Sequence, residues 1–142
     1  MKNWIAAFAW LAALAGGSAS LHAQARTFDG ATFDPPTGWD FSGVSDHIVM
    51  TKIDNDQGIF CQLVVYQSQA SIGYPAGDFS SEWNAVVSQN FPAAPEPQPR
   101  KSRTVAGYVF LEAGSTVAKD NKEYFADLMV FQVGDRVQSI LG

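Results

Sequence analysis

The stretch DFSSEWNAVVSQNFP, residues 78–92, carries the clearest helix pattern in this 142-residue chain. Its large apolar side chains recur three or four positions apart, as they do on one face of an α-helix: Phe79, Trp83, Val86, Val87 and Phe91. Asp78 is predicted to be the N-cap of this helix, and Pro92 is predicted to end it because proline lacks an amide hydrogen. An amphipathic helix of this kind needs an apolar surface to cover.

Strand patterns lie on both sides of the helix. They predict strands over residues 31–34, 47–53, 59–67, 105–113, 115–118, 123–133 and 136–141. The polar residues 54–58 and 119–122 predict hairpin turns, and PAAPEPQP, residues 92–99, predicts an extended connector. The order of elements predicts the α+β class, with an antiparallel sheet of five to seven strands and one helix packed on one face.

Two of the predicted strands are apolar on both faces. In residues 123–133, Phe125, Met129 and Phe131 alternate with Tyr124 and Leu128, as in a sheet covered on both sides. One helix covers only one face. We therefore expect either that the natural protein continues into a C-terminal helix, so that this chain is an incomplete α/β/α sandwich, or that the second face binds a partner or an apolar ligand.

Four aromatic residues are candidates for such a surface: Phe60, Tyr66, Tyr108 and Phe110. They occupy alternate positions in two predicted strands, and they would form one sugar- or peptide-binding surface if those strands shared a sheet face. Burial beneath a missing helix is the alternative interpretation.

The first 25 residues have the three parts of a secretory signal peptide. Lys2 supplies the positive charge, an apolar run follows, and residues 23–25 form a small-x-small cleavage site. The apolar run is too short for a transmembrane helix. We expect cleavage after Ala25, a periplasmic or secreted protein without a membrane anchor, and a single α+β domain over residues 26–142.

The charge and the reactive side chains exclude several functions. A net charge of −5 argues against binding nucleic acid, and the loss of Lys2 makes that charge more negative. His47 is the only histidine after residue 25, which argues against a multi-histidine zinc site. Cys61 lies among aliphatic residues of one strand face and is predicted to be buried and unpaired, so no disulfide is expected. We predict no catalytic residues, no metal site and no cofactor.

The segment FDPPTGW, residues 33–39, predicts a sharp corner between two strands. Together with IFCQLVVY, residues 59–66, and DFSSEWN, residues 78–84, it resembles a group of small exported bacterial proteins of uncharacterised function. More distantly, the corner and the element order are similar to the PsbP and Mog1 type of α/β/α sandwich. The residues that carry these resemblances are Phe33, Pro35, Pro36, Gly38, Trp39, Asp78, Phe79 and Trp83.

Members of the sandwich type mostly act in binding or assembly, and the resemblance implies the same role here. We therefore expect an exported, non-enzymatic binding or assembly protein whose partner is a protein or a small apolar or aromatic ligand, with self-association as a further option. A periplasmic enzyme that uses surface carboxylates and an envelope inhibitor or stress protein are the alternatives.

Overall fold

The computed structural model describes residues 25–105 and 107–142, so the predicted signal peptide lies almost wholly outside the described residues. The strands are β1 (Arg26–Phe28), β2 (Ala31–Phe33), β3 (Asp40–Gly43), β4 (His47–Asp54), β5 (Ile59–Tyr66), β6 (Gln69–Ala70), β7 (Arg100–Val105), β8 (Tyr108–Lys119), β9 (Lys122–Val133) and β10 (Arg136–Leu141). Helix α1 (Pro75–Glu82) runs directly into a π-helical segment, Trp83–Ser88. Within the described ranges, no helix has the length and hydropathy needed to span a membrane.

The main sheet is antiparallel throughout. Its strands lie side by side in the order β3-β4-β5-β10-β9-β8-β7, and the two-residue β6 also pairs with β10. Strands β1 and β2 form a separate hairpin. The predicted α+β class with a single helix is confirmed, since seven strands form the continuous path and β6 is a short eighth.

Four strands escaped the sequence pattern because of their length or polarity. Strand β6 has two residues, β1 has three and β3 has four, too few for an alternation to be visible. Strand β7, RKSRTV, is mostly polar and lies at the edge of the sheet, where it pairs only with β8. Edge strands tolerate polar sequences, so hydrophobic alternation does not reveal them.

Strand β8 is continuous where two strands were predicted. The predicted break fell at Gly114, because glycine weakens strand interiors. In the structure the ring of Phe125, on the neighbouring strand, covers Gly114 so closely that a Cβ there would lie 2.5 Å from Phe125 Cζ. An aromatic ring packed over a strand glycine replaces the missing side-chain contacts, and the strand therefore runs on.

The helix covers one face of the sheet with a closed core. Phe79 and Trp83 have no exposed surface, and their rings stack with centroids 6.1 Å apart. Around them are buried Val86, Val87, Val117, Ala126, Leu128, Val130 and Val137. The predicted helical spacing thus does place its apolar residues on the sheet side.

The helix begins four residues earlier than predicted, because its N-cap is Tyr74 and its first residue is Pro75. Proline fits the first turn because an amide hydrogen there would have no helical acceptor. Asp78 is buried, and its carboxylate accepts hydrogen bonds from Ile72 N (2.7 Å), Ser71 Oγ (2.7 Å) and Gln132 Nε2 (2.5 Å). The N-cap prediction for Asp78 is therefore wrong: this carboxylate joins the helix to the preceding loop and to β9.

The opposite face, which we call the outer face, is covered over β4 and β5 by the N-terminal part of the chain. Phe28, Phe33 and Trp39 pack there on Ile48, Met50 and Val65. Ser68 links the β1–β2 hairpin to the sheet by two hydrogen bonds. Its N–H donates to Asp29 Oδ2 (2.6 Å), and its Oγ accepts from Arg136 Nε (2.7 Å). At this end, the β1–β2 hairpin covers the face for which a second helix was expected.

The predicted burial of Cys61 is wrong. Cys61 is unpaired and exposed. Strand β5 pairs with β4 along its whole length, but it pairs with β10 only at Val64 and Val65. Residues 59–62 of β5 are all exposed and belong to a hairpin that extends beyond the sheet, where neither the helix nor the β1–β2 hairpin covers them.

Candidate functional site: an apolar groove on the outer face

Residue alternation along β9 separates the two faces of the sheet. Leu128 and Val130 belong to the core beneath the helix. Met129, Phe131 and Val133 therefore point to the outer face, because successive side chains of a strand alternate between faces. The outer face of β9 is thus a row of large apolar side chains.

Neighbouring strands extend this row sideways. Met129 lies opposite Ile140 of β10, and Phe131 lies opposite Phe110 of β8. The rings of Phe110 and Phe131 are 4.8 Å apart at their centroids and tilted by 33°, a favourable arrangement for two aromatic rings. Register across three strands thus builds one apolar floor.

The N-terminal hairpin and the corner after it form a wall beside this floor. Together they enclose a groove of about 500 Å³, which we call the outer groove. Its lining residues are Gly30, Ala31, Thr32, Phe33, Asp34, Pro36, Met50, Leu63, Val65, Tyr108, Phe110, Met129, Phe131, Val133 and Ile140. Most of these side chains are aliphatic, aromatic or thioether groups, and the two methionines have flexible side chains that adapt to an occupant.

The geometry of the corner is what brings the wall into position. Trp39 N–H donates to Pro36 O (3.3 Å), and Gly38 has φ +78°. This is the arrangement of a type II turn, in which glycine is favoured at the third position. The turn reverses the chain so that Phe33 and Pro36 reach the groove while Trp39 packs on β4 and β5.

Acidic groups lie on the outer face next to the apolar floor. Glu112 follows Phe110 by two positions in β8, and Asp127 precedes Met129 by two in β9, so both share the outer face. Burial raises the pKa of Asp127, the negative charge and hydrogen bond of Glu112 raise it further, and Arg100 partly offsets this rise. The surroundings of the groove therefore disfavour an anionic occupant.

The structure does not bring the four predicted aromatic residues together. Tyr108 and Phe110 line the outer groove. Phe60 and Tyr66 alternate with Val65 and so point to the helix side, where Tyr66 packs against the core. Strands β10 and β9 also separate the two pairs. The condition that both strands present these residues on one sheet face is not met.

The sequence did not predict most of the groove, because it does not show which strands lie side by side or in which register. The alternation in residues 123–133 indicates that Met129 and Phe131 share a face, but it does not say which strands lie beside them. The wall residues Ala31 and Pro36 come from nearly 100 residues earlier in the chain. A sequence signal for this contact would have to be non-local.

The other candidate groups have local structural partners. The helix carboxylates of Asp78 and Glu82 are 1% and 2% exposed and bond to Gln132 and Ser139 of the sheet. His47 Nδ1 lies 2.8 Å from Asp46 Oδ1, and Asp54 Oδ1 accepts from the N–H groups of Asp56 and Gln57 (3.1 Å each). The described residues contain no group of three or more side chains arranged to hold a metal ion.

Comparison with known proteins leaves the groove as the main guide to function. No family model, no curated protein and no solved structure matches this chain.

Proposed function

We propose that this is an exported binding protein that holds a small apolar ligand, neutral or cationic, in the outer groove. The observation that supports the proposal most directly is the composition of the groove, in which apolar side chains of six strands and of the corner line a volume of about 500 Å³. Pockets for small molecules are mostly apolar and measure about 300 to 1,000 Å³. Export is the expectation from the pattern of residues 1–25.

The preference for a neutral or cationic ligand follows from charge. The chain carries a net charge of −5, and Asp34, Glu112 and Asp127 lie at or beside the groove. A negative group entering this apolar site would lose its hydration, and the nearby cation Arg100 already faces the carboxylates of Glu112 and Asp127. The role fits the binding function that the PsbP and Mog1 resemblance implies, and that resemblance stays a prediction.

Two fluorescent probes with one aromatic skeleton test the proposal. N-phenyl-1-naphthylamine is neutral, and 8-anilinonaphthalene-1-sulfonate adds a sulfonate to it. Residues 26–142, refolded from denaturant to remove co-purified ligands, should bind the neutral probe at a single site and at least tenfold more tightly than the anionic one. Equal affinities for the two probes would contradict the preference against an anionic ligand. If neither probe bound, the groove would not be a ligand site.

A variant that fills the groove tests whether the probe binds there. Ala31→Trp places a large ring in the groove wall and should weaken binding of the neutral probe at least tenfold, with little loss of stability. Val109→Trp is the matched control, because Val109 is exposed and its neighbour Phe110 points to the groove face. Unchanged binding by Ala31→Trp, with binding lost in the control, would place the probe elsewhere.

A further inference from the structure

A β-bulge interrupts the pairing of β10 with β5 and β6. Between the residues that pair with β6 and those that pair with β5, strand β10 has two residues, Gln138 and Ser139, whereas the opposing chain has three, residues 66–68. The extra residue breaks the ladder of main-chain hydrogen bonds, as bulges do. The main-chain groups of the bulge therefore need other partners.

Side chains supply those partners. Gln138 Nε2 donates to Tyr66 O (3.1 Å). Ser68 N–H donates to Asp29 Oδ2 (2.6 Å), and Ser68 O accepts from Arg136 Nη2. Gln138 and, through Asp29, the turn of the β1–β2 hairpin thus meet at the same bulge.

One atom of Gln138 has no partner. The residue is 1% exposed, and its Oε1 is buried without a hydrogen bond to any of the described residues. The orientation of the amide is fixed, because exchanging Nε2 and Oε1 would place two oxygens 3.1 Å apart at Tyr66. Most buried polar atoms in proteins have a partner, so one that lacks it needs an explanation.

Gln138 lies on the outer face, among residues of the groove floor. Val137 belongs to the core beneath the helix and Ser139 bonds to the helix, so the side chain between them points to the other face. Gln138 lies opposite Phe131 of β9 and two residues from Ile140 of β10. Both of these neighbours line the outer groove.

The wall of the groove reaches the same place. Asp29, in the turn of the hairpin, bonds to Ser68 of the bulge. The next two residues, Gly30 and Ala31, line the outer groove. Because the nitrogen and oxygen of an amide diverge from one carbon and Nε2 points to the main chain of β5, Oε1 points away from β5. The unpartnered acceptor is therefore bordered by the floor and by the wall of the groove.

Trp83 Nε1 is the other buried side-chain atom without a partner in the described part of the chain. Its ring stacks on Phe79 in the closed core between the helix and the sheet, on the face opposite the groove. It therefore gives no indication of a ligand, whereas Gln138 Oε1 combines a missing partner with a place beside the groove.

We propose that the ligand of the outer groove is an apolar molecule with one N–H or O–H group, such as an aromatic amine or a phenol, which donates a hydrogen bond to Gln138 Oε1. This inference rests on the proposed function and narrows its ligand class. A ligand without a donor leaves the buried acceptor unpaired, so Gln138 selects against it.

The ligand reaches this acceptor by entering between the groove floor and the hairpin turn, because Oε1 is covered in the closed structure. The β1–β2 hairpin shares no ladder with the main sheet. A two-stranded hairpin is only marginally stable by itself, and its turn can move away from Phe131 without breaking a hydrogen bond of the main sheet.

Two probes of nearly the same shape test the donor. N-phenyl-1-naphthylamine has an N–H between its ring systems, and 1-phenoxynaphthalene has an ether oxygen in its place. Residues 26–142 should bind the amine at least fivefold more tightly than the ether, as measured by fluorescence titration of the amine and its displacement by the ether.

The outcomes separate this inference from the proposed function. Equal affinities for the two probes, with the binding of both still lost in Ala31→Trp, would overturn the inference and leave the groove a ligand site. Gln138 Oε1 would then be assigned to a buried water. If neither probe bound, the proposed function and the inference would both fail.

A substitution tests the acceptor. Gln138→Met keeps the length of the side chain, removes the carbonyl group and should bind the two probes with about equal affinity. Gln69→Met is the matched control, because Gln69 is exposed and lies opposite Val137, on the helix side of the sheet. A preference for the amine that persisted in Gln138→Met, or that disappeared in Gln69→Met, would overturn the role of Gln138.

A measurement on the parent protein covers the case in which Gln138→Met does not fold. In protein with isotopically labelled glutamine, the amine should shift the side-chain carbonyl resonance of Gln138 downfield, because a hydrogen bond withdraws electrons from that carbon, and the ether should not. Gln132, whose amide bonds to Ser71 and Asp78, is the internal control and should not shift. An unchanged Gln138 resonance with the amine bound would overturn the inference.

Discussion

The two faces of the sheet differ in how they are covered. On the helix side, Phe79 and Trp83 are fully buried in a core where the helix meets three strands. On the outer face, a two-stranded hairpin and a proline corner cover only part of the surface and leave the groove beside it. The closed face stabilises the fold, and a close-packed core has no room for a ligand; the ligand site that we propose therefore lies on the outer face.

The largest effect is expected from a substitution in the core between the helix and the sheet. Trp83→Ala removes the largest fully buried side chain and should lower the free energy of unfolding by about 3–5 kcal/mol. Urea denaturation followed by circular dichroism would measure it. A loss below about 1 kcal/mol would mean that the helix side is not the main core.

A smaller effect is expected when the matching aromatic residue on the outer face is removed. Trp39 is only partly buried, so Trp39→Ala should cost about 2 kcal/mol. The loss should appear in thermal unfolding before any specific loss of binding, because Trp39 supports the wall without lining the groove. An unchanged melting temperature together with lost probe binding would reverse this assignment.

The smallest expected effect concerns how the stability of the helix side depends on pH. Burial raises the pKa of Glu82 above its usual value of 4.5, a hydrogen bond from Ser139 Oγ (2.5 Å) opposes the rise, and the charge of Asp78 adds to it. The folded state therefore binds this proton more tightly than the unfolded state does. This contribution to stability is fully present below pH 4.5 and is lost as pH rises through the pKa of the folded state.

Glu82→Gln removes that titration and keeps a side chain able to bond Ser139. Chemical denaturation between pH 4 and 7 should show a flatter decline of stability with rising pH in the variant than in the parent. Some slope should remain, because the pKa of Asp127 is raised as well and acts in the same direction. An identical slope in parent and variant would mean that Glu82 does not titrate in this range.

Local signals predicted the local structure well. The helical spacing around Trp83 and the turn at residues 119–122 needed only neighbouring residues, and Asp120 and Asn121 have the positive φ values, 53° and 59°, that such hairpin turns use. The start of the helix was placed wrongly because Asp78 resembles an N-cap in sequence while its partners Ser71 and Gln132 lie in a loop and a distant strand.

The outer groove depended on information that the sequence does not display. Tyr108 and Phe110 were candidates because they alternate, but so do Phe60 and Tyr66, and only the order of strands in the sheet separates the pairs. The cover of the outer face was expected from a second helix. It comes instead from the β1–β2 hairpin, of which β2 was predicted, while β1 has three residues and is too short for a periodicity to be read.

The hydrogen bonds that join Asp29, Ser68 and Arg136 also affect the order of folding. They join residues 39 and 68 positions apart, so they close long loops and form late. The hairpin is synthesised about 100 residues before its anchor Arg136. The outer groove also needs residues of β8, β9 and β10, so it cannot form, or enclose a ligand, before β10 has been made.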